Sequence, residues 1–361
     1  MNLINLKISR FRNIDYLEFS PENGVNVIYG RNGQGKTNIL ESIFILTGAK
    51  SFRARRDIEL IKHGELNSIV EAVFNMERRE QTIKISISEK GRMGQRNRSS
   101  QTKAATLAGV FCCVLFSPEH LMLVKGSPEQ RRKFIDTALC QISPKYLLEL
   151  KRYTRLLGQK NSALKDSYRN VQLYDVLDVF DNQIAEAARV VTYMRKNFCD
   201  SLLILAKEDY MAIAGGNEEF SFSYISTLFD DNSFNTSDAV QKLLNNRQYD
   251  IGAGFSTLGP HRDDIVITID GVNARTYASQ GQQRTAVLAM KMAEASIMER
   301  SLGEKPVLLL DDVLSELDGI RQDYLISRLI GSQSVITGCD PTLISKRVNA
   351  SLFEINNGSM V

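Results

Sequence analysis

Apolar and polar residues alternate along Met1-Asn2-Leu3-Ile4-Asn5-Leu6-Lys7-Ile8. That period of two predicts a β-strand and does not have the layout of a signal peptide. Gly24-Val25-Asn26-Val27-Ile28-Tyr29 has the β-branched and aromatic content of another strand. In Asn38-Ile39-Leu40-Glu41-Ser42-Ile43-Phe44 the apolar residues move to helical spacing, and the run stops at Gly48. Further strands are expected at 68–74 and 81–87, joined by a charged turn at 76–80. The unbroken apolar run 110–116 reads as a buried strand.

From Pro118 to about Ala214 the pattern turns helical, with segments 128–140, 144–164 and 175–210. Strands return at 220–224 and 265–269, the latter ending in an Asp270-Gly271 hairpin turn. A long amphipathic helix is expected from Gly281 to about Leu302. Pro306 and a fully apolar strand, Val307-Leu308-Leu309-Leu310, follow it. The order predicts an α/β chain with a mixed sheet. Its sheet-bearing domain comes in two pieces, 1–116 and 256–361, separated by a mostly helical insertion at 117–255. No internal repeat or low-complexity tract interrupts this.

Composition changes little in that picture. The 361 residues leave room for two domains or for one core with a large insertion. The 43% apolar and 24% charged fractions are ordinary for a soluble protein, and no apolar run has membrane-spanning length. Cysteines 112, 113, 140, 199 and 339 form no C-x-x-C pair and are odd in number, as expected of reduced thiols in a cytoplasmic protein. A net charge of +3 permits a nucleic-acid partner without arguing for one.

The chemistry is carried by three short segments. Gly30-Arg31-Asn32-Gly33-Gln34-Gly35-Lys36-Thr37 fits G-x-x-x-x-G-K-[ST] between a predicted strand and a predicted helix, the context that makes the pattern a phosphate-binding loop. Its backbone N–H groups and the helix N-terminus would face phosphate oxygens. Lys36 would reach the β- and γ-phosphates of ATP, and Thr37 would place its hydroxyl on Mg²⁺. The strand 307–310 ends in Asp311-Asp312, as a Walker B element does. It is expected to lie beside the phosphate-loop strand, with Asp311 in the Mg²⁺ shell and Asp312 orienting an attacking water. Ser279-Gln280-Gly281-Gln282-Gln283-Arg284 opens the long helix. Read alone, Ser279 is a helix cap. Read between the other two segments, it resembles the S-x-G-Q signature of ABC-type ATPases. Such a signature is useful only against a γ-phosphate held by another subunit. That implies a head-to-tail homodimer around two ATP molecules.

With these segments in place the chain resembles the RecF family, in the SMC-like branch of ABC ATPases. Ile8-Ser9-Arg10-Phe11-Arg12-Asn13 is similar to that branch's first-strand Phe-Arg-Asn turn, whose arginine reaches the nucleotide, which assigns that role to Arg12. Pro118-Glu119, Gly126-Ser127-Pro128, Arg131-Arg132-Lys133-Phe134-Ile135-Asp136 and Leu258-Gly259-Pro260-His261-Arg262-Asp263-Asp264 are similar to the family's own motifs. So is 309–325 with Ser315-Glu316-Leu317-Asp318. The resemblance covers essentially the whole chain. It implies an ABC-type ATPase head with an inserted helical domain, acting in recombinational repair and replication restart. ATP would close the dimer on duplex DNA near single-strand junctions, and slow hydrolysis would release it. RecO and RecR are the implied partners, with RecA loading and support of the SOS response as the outcome, and no membrane is involved.

The departures are specific. Asp312 stands where many ABC ATPases have Glu, a shorter arm that suits slow hydrolysis. Val335-Ile336-Thr337-Gly338-Cys339-Asp340 offers Thr337 where a switch histidine is usual, and Phe116-Ser117-Pro118-Glu119 has no glutamine for a Q-loop. His261 reads as structural or DNA-proximal. Basic clusters at 53–56, 92–103, 131–133 and 151–155 are candidate phosphate contacts, set against a background of 42 acidic residues. A transporter ATPase subunit would be expected to carry the switch histidine. A small-molecule kinase has no use for Ser279-Gln280-Gly281. The segment 117–219 is too short for the paired arms of a structural SMC protein.

Overall fold

In the computed structural model, residues 1–167, 174–230 and 233–361 are described. Among them, strands assemble into three sheets. An antiparallel sheet takes the order Ile14–Phe19, Asn2–Phe11, Asn67–Met76, Arg79–Ser88, Gly91–Arg96, Thr102–Lys103. A second sheet runs Ser359–Met360, Ala350–Asn356, Val25–Tyr29, Ser334–Gly338, Val307–Asp311, Cys113–Phe116, and is parallel except at its first edge.

The parallel sheet explains its own sequence. Val307 and Leu309 pack toward the antiparallel sheet and the helix Lys36–Ile45. Leu308 and Leu310 pack toward the helices Gln280–Leu302 and Gly319–Leu329. A strand covered on both faces is favoured by a continuous apolar run, and Val307 to Leu310 supply one before Asp311. The Walker B strand does not lie beside the phosphate-loop strand, as expected from sequence. Ser334–Gly338 is hydrogen-bonded between them. The apolar run 110–116 enters the sheet only at Cys113; before it, Phe111 forms an isolated bridge to Ala108.

The helices Pro128–Ile142, Pro144–Ser167 and Tyr174–Ala214 form the second lobe. Its core also contains Ile265, Ile267 and Ile269, because Asp264–Ile269 pairs antiparallel with Phe220–Ile225. That pairing crosses the expected domain boundary at 255/256. The strand after the boundary shares the core of the helical lobe.

The helix Gln280–Leu302 is also not amphipathic, contrary to the sequence expectation. Leu288 and Met292 face the parallel sheet, while Ala286, Ala289, Met290, Ala293 and Ile297 face the helical lobe. It is the wall the two lobes share, so apolar residues surround it.

Candidate nucleotide-binding site

Tyr29 ends its strand and the chain turns back over itself through 30–35 before the helix Lys36–Ile45 begins. Gly30 has φ +151, and a Cβ there would stand 2.4 Å from the Ile355 carbonyl oxygen. Gly35 precedes the helix at φ +109, and a Cβ there would stand 2.9 Å from Asn13 Oδ1. At both points only glycine lets the loop pass so close to its neighbours.

The loop is braced from three sides. Asn13 Nδ2 donates to the Gly33 carbonyl at 3.3 Å, and its Oδ1 accepts from Asn38 at 2.7 Å. The Asn357 and Gly358 amides donate to the side-chain and backbone oxygens of Gln34 at 2.6 and 3.0 Å. The Cys339 thiol donates to Asn32 Oδ1 at 3.1 Å. Lys36 folds over its own loop, with Nζ donating to the carbonyls of Gly30 at 2.6 Å and Arg31 at 3.0 Å.

Beneath the loop the two Walker segments meet. The Thr37 hydroxyl donates to Asp311 Oδ1 at 2.7 Å. Thr337 reaches the same oxygen from the intervening strand at 2.9 Å. Burial pushes the Asp311 carboxyl above the usual carboxylate range, opposed by these two hydroxyls and by the charge of Arg53. One buried carboxylate beside one hydroxyl suits a hard cation such as Mg²⁺ that takes its other ligands from phosphate and water. Asp312 follows in the left-handed region at φ 53, where Asp is among the better-tolerated residues. Its amide donates to Thr337 Oγ1 at 3.0 Å. Thr337, in the place of the absent switch histidine, thus touches both acidic residues.

Arg12 is differently engaged than the resemblance implied. Its Nε and Nη2 fork onto the carboxylate of fully buried Glu41 at 2.9 and 2.8 Å, and Ser51 donates to that carboxylate as well.

Ser279 lies apart from this cluster. It is exposed, with its hydroxyl accepting the Gln282 amide at 3.2 Å and Gln282 Oε1 accepting the Ser279 amide at 2.8 Å. That is the capping box of the helix Gln280–Leu302. Gln280 is exposed as well. Gln282 also donates to Glu218 at 3.0 Å, and Gly281 offers its carbonyl to Arg321 at 2.9 Å. Sequence reading placed Asn13 in the Phe-Arg-Asn turn without assigning it a contact, and missed Arg321, Glu41 and the bracing turn at Asn357-Gly358. Only the last carried a local signal, the Asn-Gly dipeptide of a tight hairpin.

The basic clusters divide. Arg131 is buried on Asp264, and Arg92 is held by Asp57 and the Ala49 carbonyl. Arg53, Arg55, Arg56, Arg98 and Lys103 remain exposed. His261 accepts from Tyr153 at Nδ1 (2.6 Å) and donates from Nε2 to the Ser256 carbonyl (2.9 Å), and burial lowers its pKa. It serves the helical lobe as a neutral structural group.

Comparison with known proteins decides the family. Residues 2–349 match the family described as RecF/RecN/SMC N terminal domain. A DNA replication and repair protein RecF from Clostridium novyi is 38% identical over 100% of this chain and 99% of its own length. Its counterpart from Agathobacter rectalis is 39% identical over the same shares. The chain belongs to the RecF family. A solved structure of the recombination mediator protein RecF-ATPrS in the RecFOR pathway superposes with a TM-score of 0.92 at 33% identity, covering 99% of this chain and 97% of that one. An Smc head domain from Pyrococcus furiosus matches at a TM-score of 0.56 and 16% identity, which speaks for a common fold alone. The fold is thus the ABC-type ATPase head of RecF and SMC proteins, with a helical lobe added. Among the described residues, no helix is long and apolar enough to cross a membrane.

Proposed function

We propose that this chain is an ATP-dependent DNA-binding protein of recombinational repair and replication restart, with ATP serving as the switch that closes two copies on DNA. One observation carries the reading. Thr37 and Asp311 meet at 2.7 Å within one subunit, whereas Ser279-Gln280-Gly281 opens a separate helix whose ties run to Glu218 and Arg321. The first group holds one ATP; the second is shaped to cover an ATP held elsewhere.

In this reading Gly30 to Thr37 cradle the phosphates, and Lys36 leaves the Gly30 and Arg31 carbonyls for the β- and γ-phosphates. Thr37 and Asp311 hold Mg²⁺, which offsets phosphate charge when bound. Asp312 orients the attacking water, and Arg12 extends from Glu41 toward the phosphates. A second copy contributes Ser279, the Gly281 amide and Gln282. Hydrolysis is slow and resets the clamp. The exposed arginines at 53–56 and Arg98 and Lys103 supply phosphate contacts to duplex DNA near single-strand junctions. The relatives' naming and the RecFOR-pathway structures support a cytoplasmic partnership with RecO and RecR that helps load RecA and supports the SOS response.

DNA affinity measured with and without ATP across a salt series tests the proposal, using wild type, Lys36→Arg and Ser279→Arg. Wild type is expected to bind more tightly with ATP, with a steep salt slope, and both variants are expected to lose the ATP effect. ATP-independent DNA binding in wild type would sink the switch.

A further inference from the structure

Arg321 sits where the helix Gly319–Leu329 begins, and its guanidinium touches three points on two segments. Nε donates to Thr285 Oγ1 at 2.9 Å and Nη2 to the Gly281 carbonyl at 2.9 Å, while Nη1 is paired with the Asp318 carboxylate. Asp318 in turn caps its helix by accepting the Arg321 amide at 3.1 Å. A planar fork held at three points fixes direction as well as distance. The nearby Arg284–Glu316 pair, at 3.8 Å and partly exposed, contributes little.

Helix formation does not require this arrangement. The groups left unpaired at a helix N-terminus are N–H groups, yet Arg321 binds a carbonyl there. Gly281 makes the approach possible, because a Cβ there would stand 3.2 Å from Nη2.

The connection continues to the chain's own Walker B strand. Ser315 Oγ donates to the Asp312 carbonyl at 2.8 Å, and Gln322 Nε2 donates to the carbonyls of Leu314 and Leu317 at 2.8 and 2.9 Å. The path from Asp311-Asp312 through 314–318 to Gly281 is therefore bonded throughout.

We propose that Arg321 is a positioning residue that locks the Ser279-Gln280-Gly281 turn to the loop leaving the subunit's own Walker B strand. The γ-phosphate-facing surface offered to a second copy is thereby set by the state of the first copy's site. This inference rests on the ATP-closed dimer proposed above.

Sedimentation velocity with and without Mg-ATP tests it on the full chain as wild type, Arg321→Ala, Arg321→Lys and Ser279→Arg. Fluorescent-ATP binding at concentrations too low for dimers, and thermal unfolding, accompany it. Arg321→Ala is expected to bind ATP as a monomer and to stay folded with only a small drop in unfolding midpoint, while its ATP-dependent dimer weakens about tenfold, the scale of a lost charge-assisted hydrogen bond. Cooperativity in ATP is expected to fall with it, and Arg321→Lys to recover part of the loss. If Arg321→Ala dimerises as wild type does, or loses monomer ATP affinity or folding in step with dimerisation, the positioning role is wrong. If wild type itself does not associate with ATP, the dimer reading fails and takes this one with it. A dimer unaffected by Ser279→Arg would show that copies associate through another face, and would overturn both.

Discussion

Arg195 and Lys160 in the helical lobe and Lys36 on the nucleotide face are all buried cations, and they differ in what answers their charge. Arg195 forks onto Asp136 at 2.8 and 2.9 Å and also donates to Tyr146 Oη and the Pro260 carbonyl. Lys160 lies 2.7 Å from Asp181 and 3.4 Å from Asp250, both fully buried. Lys36 has only neutral groups at its head group, the carbonyls of Gly30 and Arg31 and, at 3.8 Å, the Cys339 sulfur. Around Arg195 and Lys160 the charge is closed by opposite ones, so these networks serve the fold. On the nucleotide face the cation is held by neutral groups that an anion can replace. Burial by itself does not tell a structural charge from a functional one. The sign of the partner does.

The largest test of that contrast is Arg195→Ala. It leaves the partly exposed Asp136 carboxylate with the Tyr146 hydroxyl and removes the donor to the Pro260 carbonyl, and is expected to cost about 3 kcal/mol in denaturant unfolding. Lys36→Ala removes a cation of similar depth but leaves only neutral groups on a loop partly open to water. Its expected cost is roughly 1 kcal/mol, with complete loss of ATP binding. Equal costs for the two would erase the distinction.

Tyr153→Phe is a smaller probe of the same lobe. It removes the donor to His261 Nδ1 and leaves a buried ring nitrogen without its hydroxyl, at an expected cost of about 1–2 kcal/mol. DNA affinity at fixed salt is expected to stay within about twofold of wild type, within the scatter of a surface-neutral change. A selective loss of DNA binding would return His261 to the DNA-proximal reading.

The contrast also explains what the sequence could show. The phosphate loop, the Walker B strand and the signature turn are each set by contiguous residues, with backbone geometry that short patterns encode. All three were legible as motifs. The long-range contacts of the cations were not, because the partners are separated by 59 residues for Arg195 with Asp136 and by 40 for Arg321 with the Gly281 carbonyl. Strand adjacency failed for the same reason. Nothing local in Ser334–Gly338 announces that it inserts between Val25–Tyr29 and Val307–Asp311. The helix Gln280–Leu302 differs from the expected amphipathic one because Ala286, Ala289 and Ala293 form a second buried face. They are small because the helical lobe packs directly against them.

The smallest expected effect has the opposite sign and lies on the nucleotide face itself. Burial raises the Asp311 pKa in the folded chain, so its ionisation near neutral pH opposes folding. Asp311→Asn keeps an acceptor for Thr37 and Thr337 while removing the charge. Without nucleotide it is expected to raise the unfolding midpoint at pH 7 to 8 by roughly 1–2 °C. Below the usual carboxylate range Asp311 is protonated in both folded and unfolded chains, so that gain fades as pH falls toward about 4. Mg-ATP is expected to reverse the order, stabilising wild type and leaving the variant unmoved. Thermal unfolding across pH, with and without Mg-ATP, reads both arms. A variant less stable than wild type without nucleotide would mean that Asp311 is held for the fold, as Asp136 is, and not for a cation.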